Sequence, residues 1–236
     1  MIADTASPKP LPGARVCPDV RAVLFDLDGT LVDSAVGLAD AANDMLQARG
    51  LPTLPLAALR PAVGSGARGM VGTAFGLAPG DEPYEAMRVE FLDRYTLRLL
   101  EKAVLFAEVQ AMLDALEAAG LAWGIVTNKA LRFAEPLAGA MGLVPRSPVL
   151  VGGDSTPHTK PHPAPLLEGS RRIGVPPAQC VYVGDDLRDM QAGRAAGMGT
   201  LAAAWGYLGH GADVATWPAD FVLPSPITLL QRLKLA

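Results

Sequence analysis

Short apolar runs alternate with helical segments along most of this chain. Residues 21–26 (RAVLFD) form an apolar run that closes on an acidic residue, and runs of similar length recur at 121–126, 148–151, 180–183 and 200–203. Each has the length of a β-strand. Between the later runs, residues 109–119, 131–141, 164–173 and 187–196 place apolar side chains at helical spacing. This β-α-β-α order predicts a parallel sheet flanked by helices.

The rhythm breaks over residues 36–106, which are helical in pattern with no convincing strand. Candidate helices at 36–49, 56–60, 67–75 and 82–100 are punctuated by Gly50, Pro61, Gly64, Gly66 and Pro79. The stretch reads as a helical domain inserted into an α/β core made of 21–35 and 107–236. Residues 1–20 are rich in proline and small residues, without the basic start and apolar stretch of a signal peptide, and are expected to form a flexible leader. No uncharged apolar run approaches the roughly 18 residues of a membrane-spanning helix, so a soluble protein with no membrane partner is expected.

Composition narrows the chemistry. Half of the 236 residues are hydrophobic, enough for a substantial core. A net charge of −4 and a pI near 5.4 leave no cationic excess to neutralise a phosphate backbone, which argues against nucleic acid as a partner. Cys17 and Cys180 lie in the leader and in an apolar run and offer no disulfide framework. A reducing compartment, with cytoplasm as the default, is expected.

Four polar constellations follow apolar runs or precede helices. Asp26-Leu27-Asp28-Gly29-Thr30 closes the first run, with two carboxylates two residues apart and a glycine that permits a sharp turn. Gly184-Asp185-Asp186-Leu187-Arg188-Asp189 follows the fourth. Clustered carboxylates repel one another unless a cation lies between them, and hard oxygen ligands favour Mg²⁺. The plainer reading is a helix N-terminus, where aspartate is favourable, and Asp189 can brace that helix while Asp185 meets a metal. Thr127-Asn128-Lys129 and Thr159-Lys160-Pro161 add a hydroxyl, an amide and ammonium groups suited to phosphate oxygens. Taken singly, these two are ordinary turn and loop sequences.

In this order, DxDGT, TN, KP and GDD resemble the four motifs of the haloacid dehalogenase superfamily. The resemblance covers nearly everything from Arg21 onward, and 36–106 is similar to that superfamily's helical cap. It implies an α/β fold with a Rossmann-like parallel sheet core and an inserted cap. Asp26 would be the nucleophile of a phosphatase, Asp28 its general acid and base, and Lys160 the group that neutralises charge. Gly29, Thr30, Thr127, Asn128 and Lys129 would contact the substrate, as would Arg68 from a cap loop. A Mg²⁺ cofactor would be held by Asp26, the Asp28 carbonyl, Asp185 and, directly or through water, Asp186.

Other features are given plainer readings. Gly64-Ser65-Gly66-Ala67-Arg68-Gly69 matches GxGxxG but follows no strand, so a dinucleotide site is disfavoured. His158 and His162 have the spacing of a helical zinc pair, yet Pro157, Pro161 and Pro163 place them in a loop. The scattered aromatics Trp123, Trp205, Tyr207 and Trp217 read as packing residues. Within the superfamily, Asp28 disfavours a dehalogenase. A sugar phosphomutase and a non-catalytic phosphate-binding protein stay open. VTNK, VGGD and KPHPAPLL resemble bacterial phosphoglycolate phosphatases. GDDLRD, GSGARGM and Trp123-Gly124 are more similar to the branch acting on N-acetylmuramic acid 6-phosphate. The implied partner is a small phosphorylated metabolite, with 2-phosphoglycolate and the muramic acid phosphate both open, as is the choice between monomer and homodimer.

Overall fold

The computed structural model describes residues 19–209 and 213–235. The expected leader lies outside the described residues except for its last two, and Cys17 lies outside them too. The first apolar run folds as β1 (Ala22–Phe25), every residue of it fully buried. A tight turn leads to β2 (Val32–Asp33), and then come α1 (Ala35–Gln47), α2 (Leu56–Leu59), a 3-10 turn over Arg60–Ser65, α3 (Gly66–Phe75) and α4 (Tyr84–Arg98). Next is β3 (Val104–Leu105), which pairs antiparallel with β2. From there helix and strand alternate: α5 (Val109–Ala118), β4 (Ala122–Val126), α6 (Leu131–Ala140), β5 (Leu150–Val151), α7 (Ala164–Ile173), β6 (Cys180–Gly184), α8 (Leu187–Ala195) and β7 (Gly199–Ala203). The described chain ends with β8 (Phe221–Leu223) and α9 (Thr228–Arg232).

Among the described residues the main sheet has six strands, all parallel, in the order β5-β4-β1-β6-β7-β8. The parallel α/β expectation is met. Along β1, Val23 and Phe25 enter one buried cluster with Ile125, Val181 and Val183, while Ala22 and Leu24 enter another with Val126, Cys180 and Tyr182. Successive strand residues face opposite sides, so a strand covered by helices on both faces must be apolar throughout. That is why RAVLFD shows no alternation. From β1 the chain passes to β4 and β5 on one side and then crosses back to β6 on the other side of β1, and such a switch point opens a crevice at the carboxyl ends of the strands.

The helical insert packs around Met45, Met70 and Phe91, all fully buried and continuous with the cluster holding Val23 and Phe25. Two details differ from the sequence reading. Residues 36–106 were expected to hold no strand, yet Val104 and Leu105 form β3, because pairing with Val32 and Asp33 supplies hydrogen bonds that a two-residue pattern cannot announce. Neither β8 nor α9 stood out for the same reason: each is short and is defined by its neighbours.

Close approach of α7 to the sheet depends on Gly169, where a Cβ would lie 2.7 Å from a Val126 methyl and 3.2 Å from a Leu24 methyl. Gly169→Val is therefore expected to destabilise the fold by about 1–3 kcal/mol through overpacking. Urea unfolding of the purified variant checks this, and an unchanged midpoint would show that α7 can shift freely.

Candidate active site

Asp26, Thr127 and Asp185 follow β1, β4 and β6, which are adjacent strands. The register aligns Phe25 with both Ile125 and Val183, so the polar residues beyond them meet in one place. The turn after β1 requires Gly29, whose φ is +85° and where a Cβ would lie 2.1 Å from Asp185 Oδ2. Beside it, the Thr30 hydroxyl donates to Asp185 Oδ1 at 3.0 Å. The loop after β7 closes from the other side, with the Tyr207 N–H donating to Asp185 Oδ2 at 2.8 Å. Gly29 and Thr30, expected to touch substrate, instead pack against and bind Asp185, and neither lines the cavity described below.

Three carboxylates cluster here. One oxygen from each of Asp26, Asp185 and Asp189 lies within 4.8 Å of the others. Lys160, almost completely buried, places Nζ 2.9 Å from Asp26 Oδ1 and 2.8 Å from Asp189 Oδ1. It also donates to the Tyr182 hydroxyl at 2.8 Å and the Val126 carbonyl at 3.2 Å. Burial favours neutral lysine, but Asp189 and Asp26 outweigh it and hold the Lys160 pKa above its ordinary value. Burial raises the Asp185 carboxyl well above the usual range, with Asp26 and Asp189 adding to the rise. Burial likewise pushes Asp189 up to about 7, against the attraction of Lys160.

Asp28 points elsewhere. Both its oxygens accept from Lys129 Nζ at 3.1 Å, and the Ser34 hydroxyl donates to Oδ1. Lys129, expected to bind substrate, is paired with the second aspartate, and its pKa is raised because Asp28, with Tyr95, outweighs burial. Asn128, expected to hold the phosphoryl group, lines the cavity described below, and its side chain clamps the Lys160 backbone, accepting from the N–H at 2.9 Å and donating to the carbonyl at 3.0 Å. Asp186 stands apart from the carboxylate cluster: it caps α8 and holds Arg188 through two bonds of 2.8 and 2.7 Å. Arg188 in turn donates to the Gly64 carbonyl of the insert at 2.5 Å.

Between core and insert lies a cavity of about 370 Å³, lined by Asp26, Asp28, Thr127, Asn128 and Lys129 from the core. Asp185 and Asp189 lie behind this surface. The insert contributes Val63 to Ala67 and, from α4, Arg88, Phe91, Leu92 and Tyr95. Arg68 does not reach it. That residue is exposed on the first turn of α3 and faces a neighbouring groove with Gly69 and Gly72, turned round the helix from Ala67, which lines the cavity. The cations facing this cavity are Lys129, Arg88, Arg132 and Arg188. The first was expected; Arg188 lies within the GDDLRD stretch and Arg132 just after the Thr127-Asn128-Lys129 motif, neither assigned a role there, and Arg88 carried no motif signal that separates it from surface residues. His158 and His162 lie in an exposed loop, as expected.

Mg²⁺ fits the donor set. Three carboxylates face one ammonium, leaving an excess of negative charge among hard oxygen donors. Asp189 is engaged through both oxygens, by Lys160 and by the Asp186 N–H, which leaves Asp26 and Asp185 as the better ligands.

Comparison with known proteins agrees with this arrangement. Residues 23–203 match the family described as Haloacid dehalogenase-like hydrolase. The chain belongs to that family. It is an enzyme, a phosphatase of the haloacid dehalogenase type. It is 50% identical over 206 residues to a phosphoglycolate phosphatase of Xanthomonas campestris pv. campestris, covering 87% of this chain and 93% of the relative. It is 41% identical to an N-acetylmuramic acid 6-phosphate phosphatase of Pseudomonas putida, covering 89% and 94%. A crystal structure described as a predicted phosphoglycolate phosphatase from Haemophilus somnus superposes with a TM-score of 0.79 at 28% identity, covering 90% and 97%.

The carboxylate cluster generates a linked prediction of pH and metal dependence. In the folded chain Asp189 is raised to about 7, above its unfolded value near 3.9, so unfolding releases its proton and stability falls as pH rises from about 4 to about 7. Mg²⁺ at about 100 times its dissociation constant should restore about 5–10 °C of melting temperature at pH 7. Thermal unfolding with and without Mg²⁺ across that window checks both. A melting temperature indifferent to pH and to Mg²⁺ would show that the cluster is not held at a cost.

Proposed function

We propose that this phosphatase is Mg²⁺-dependent and hydrolyses a small carboxylated phosphomonoester through a phosphorylated Asp26. One observation carries the assignment: of the three clustered carboxylates, Asp26 alone lines the cavity, with Lys160 against its inner oxygen. Bound Mg²⁺ would screen the charge of the incoming phosphate and stabilise charge on its equatorial oxygens. Asp26 and Asp185 would hold it.

In this reading Asp26 attacks phosphorus in line, its P–O bond forming as the ester P–O bond breaks. Lys160 keeps the nucleophile oriented and offsets its charge. Thr127, buried at the end of β4, offers its hydroxyl to a phosphoryl oxygen. Asp28 hands a proton to the departing alkoxide and takes one from the water that cleaves the acyl phosphate. Lys129 and Ser34 fix Asp28 for this exchange. Asn128 acts at one remove, by holding the Lys160 backbone.

The domain division belongs to the same proposal, with 36–106 acting as a cap over a core of 21–35 and 107–236. A cytoplasmic location belongs to it as well. Among the described residues no helix is long and apolar enough to cross a membrane. A cavity of about 370 Å³ walled by Leu38, Val63, Phe91 and Phe133 is larger and more apolar than a two-carbon acid phosphate requires, which supports a sugar acid such as N-acetylmuramic acid 6-phosphate. A second reading, 2-phosphoglycolate, is favoured by the 50% identical Xanthomonas relative.

Asp26→Asn is expected to lower turnover on the order of 10⁴-fold or more while leaving the circular dichroism spectrum unchanged. Phosphate release from a panel of both substrates and hexose phosphates ranks the two readings. Sustained release also separates a phosphatase from a phosphomutase or a non-catalytic binding protein. Thorough chelation should stop turnover and Mg²⁺ restore it. Robust activity of Asp26→Asn would remove the nucleophile from the mechanism.

A further inference from the structure

One face of α4 lines the active-site cavity with Arg88, Phe91, Leu92 and Tyr95, residues spaced i, i+3, i+4 and i+7. Phe91 is packing: it is fully buried and stacks on Tyr95 with ring centroids 6.2 Å apart. Tyr95 is different. Its ring sits 5.5 Å from that of Phe133, and Lys129 Nζ lies 4.7 Å from its centroid, contacts that phenylalanine would make equally well. Yet its hydroxyl is buried beside Lys129, whose ammonium can only donate to it, and no acceptor lies within hydrogen-bond distance of its O–H proton. A buried donor without an acceptor is unfavourable unless something supplies the acceptor.

Lys129 bridges Tyr95 to Asp28, so the tyrosine stands at the reacting end of the cavity. Arg88 lies seven residues earlier, roughly 10 Å away along the helix axis. Its Nε pairs with Glu85 at 2.9 Å, leaving the other guanidinium nitrogens for the cavity.

We infer that this face of α4 selects the substrate by length: Tyr95 hydrogen-bonds a polar atom of the leaving group near the ester oxygen, and Arg88 pairs with a carboxylate well beyond it. The inference rests on the larger-substrate reading above and assigns its residues. A carboxylate one carbon from the phosphate ester stays at the Tyr95 end of this face while its phosphorus meets Asp26, about 10 Å of helix axis from the Arg88 backbone. A carboxylate carried across a sugar ring can reach Arg88.

The test uses the full chain with Mg²⁺ and compares kcat/KM for N-acetylmuramic acid 6-phosphate and N-acetylglucosamine 6-phosphate, which lacks the lactyl carboxylate. Arg88→Ala should shrink the preference for the acid by about tenfold or more, the loss expected for a charge-assisted hydrogen bond, and Arg88→Lys should retain part of it. Tyr95→Phe should lower kcat/KM on both substrates by about threefold to tenfold with the preference intact. Arg68→Ala, outside the cavity, serves as a control. An unchanged preference in Arg88→Ala, or full activity in Tyr95→Phe, overturns the inference. Failure of the underlying reading looks different: the unmodified enzyme would hydrolyse 2-phosphoglycolate and neither sugar phosphate.

Discussion

Lys160 is the interaction on which the site depends. The strand ends of a parallel sheet bring Asp26 and Asp185 together, and the first turn of α8 adds Asp189 beneath them. Three carboxylates that close, two of them buried, would repel one another and pay heavily for desolvation. The ammonium between Asp26 and Asp189, itself bonded to Tyr182 and Val126, lets the arrangement persist. It does not neutralise it. The residual negative charge makes room for a divalent cation, and the raised carboxyls of Asp185 and Asp189 express the same imbalance.

Much of this was legible in the sequence because the signals were local. A fully buried parallel strand must be apolar throughout and must end in polar residues where it meets the crevice, so 21–26, 121–126 and 180–183 identified both the strands and the places where chemistry sits. What escaped reading depended on side-chain direction or on partners far along the chain. Arg68 looked like the cation of a loop over the site, but a helical residue's direction follows its place on the turn, and Arg68 faces away. Asp186 shares a motif with Asp185, yet it is held by Arg188, which also reaches the Gly64 carbonyl of the insert. Asn128 meets Lys160 across 32 positions of sequence, and Tyr207 meets Asp185 across 22. No spacing rule connects such pairs.

Contacts between core and insert share a design. Arg60 of the insert pairs with Asp33 at 2.8 Å and lies over the Tyr207 ring, whose backbone N–H holds Asp185. Arg188 joins the loop beside Asp185 to Gly64, and Lys129 joins Asp28 to Tyr95. Each bridge has one end on a residue that fixes the carboxylates and the other on the insert. If the insert acts as the proposed cap, its closure over the cavity would be coupled to the orientation of the aspartates through these same side chains.

The central claim is that Asp26 carries the phosphoryl group during turnover, and trapping that acyl phosphate tests it most directly. Enzyme quenched in acid during steady turnover and reduced with borohydride should yield homoserine in place of a single aspartate, and peptide mass spectrometry should locate it at Asp26. Homoserine at Asp28 or Asp185, or none at all while phosphate is being released, would contradict the account.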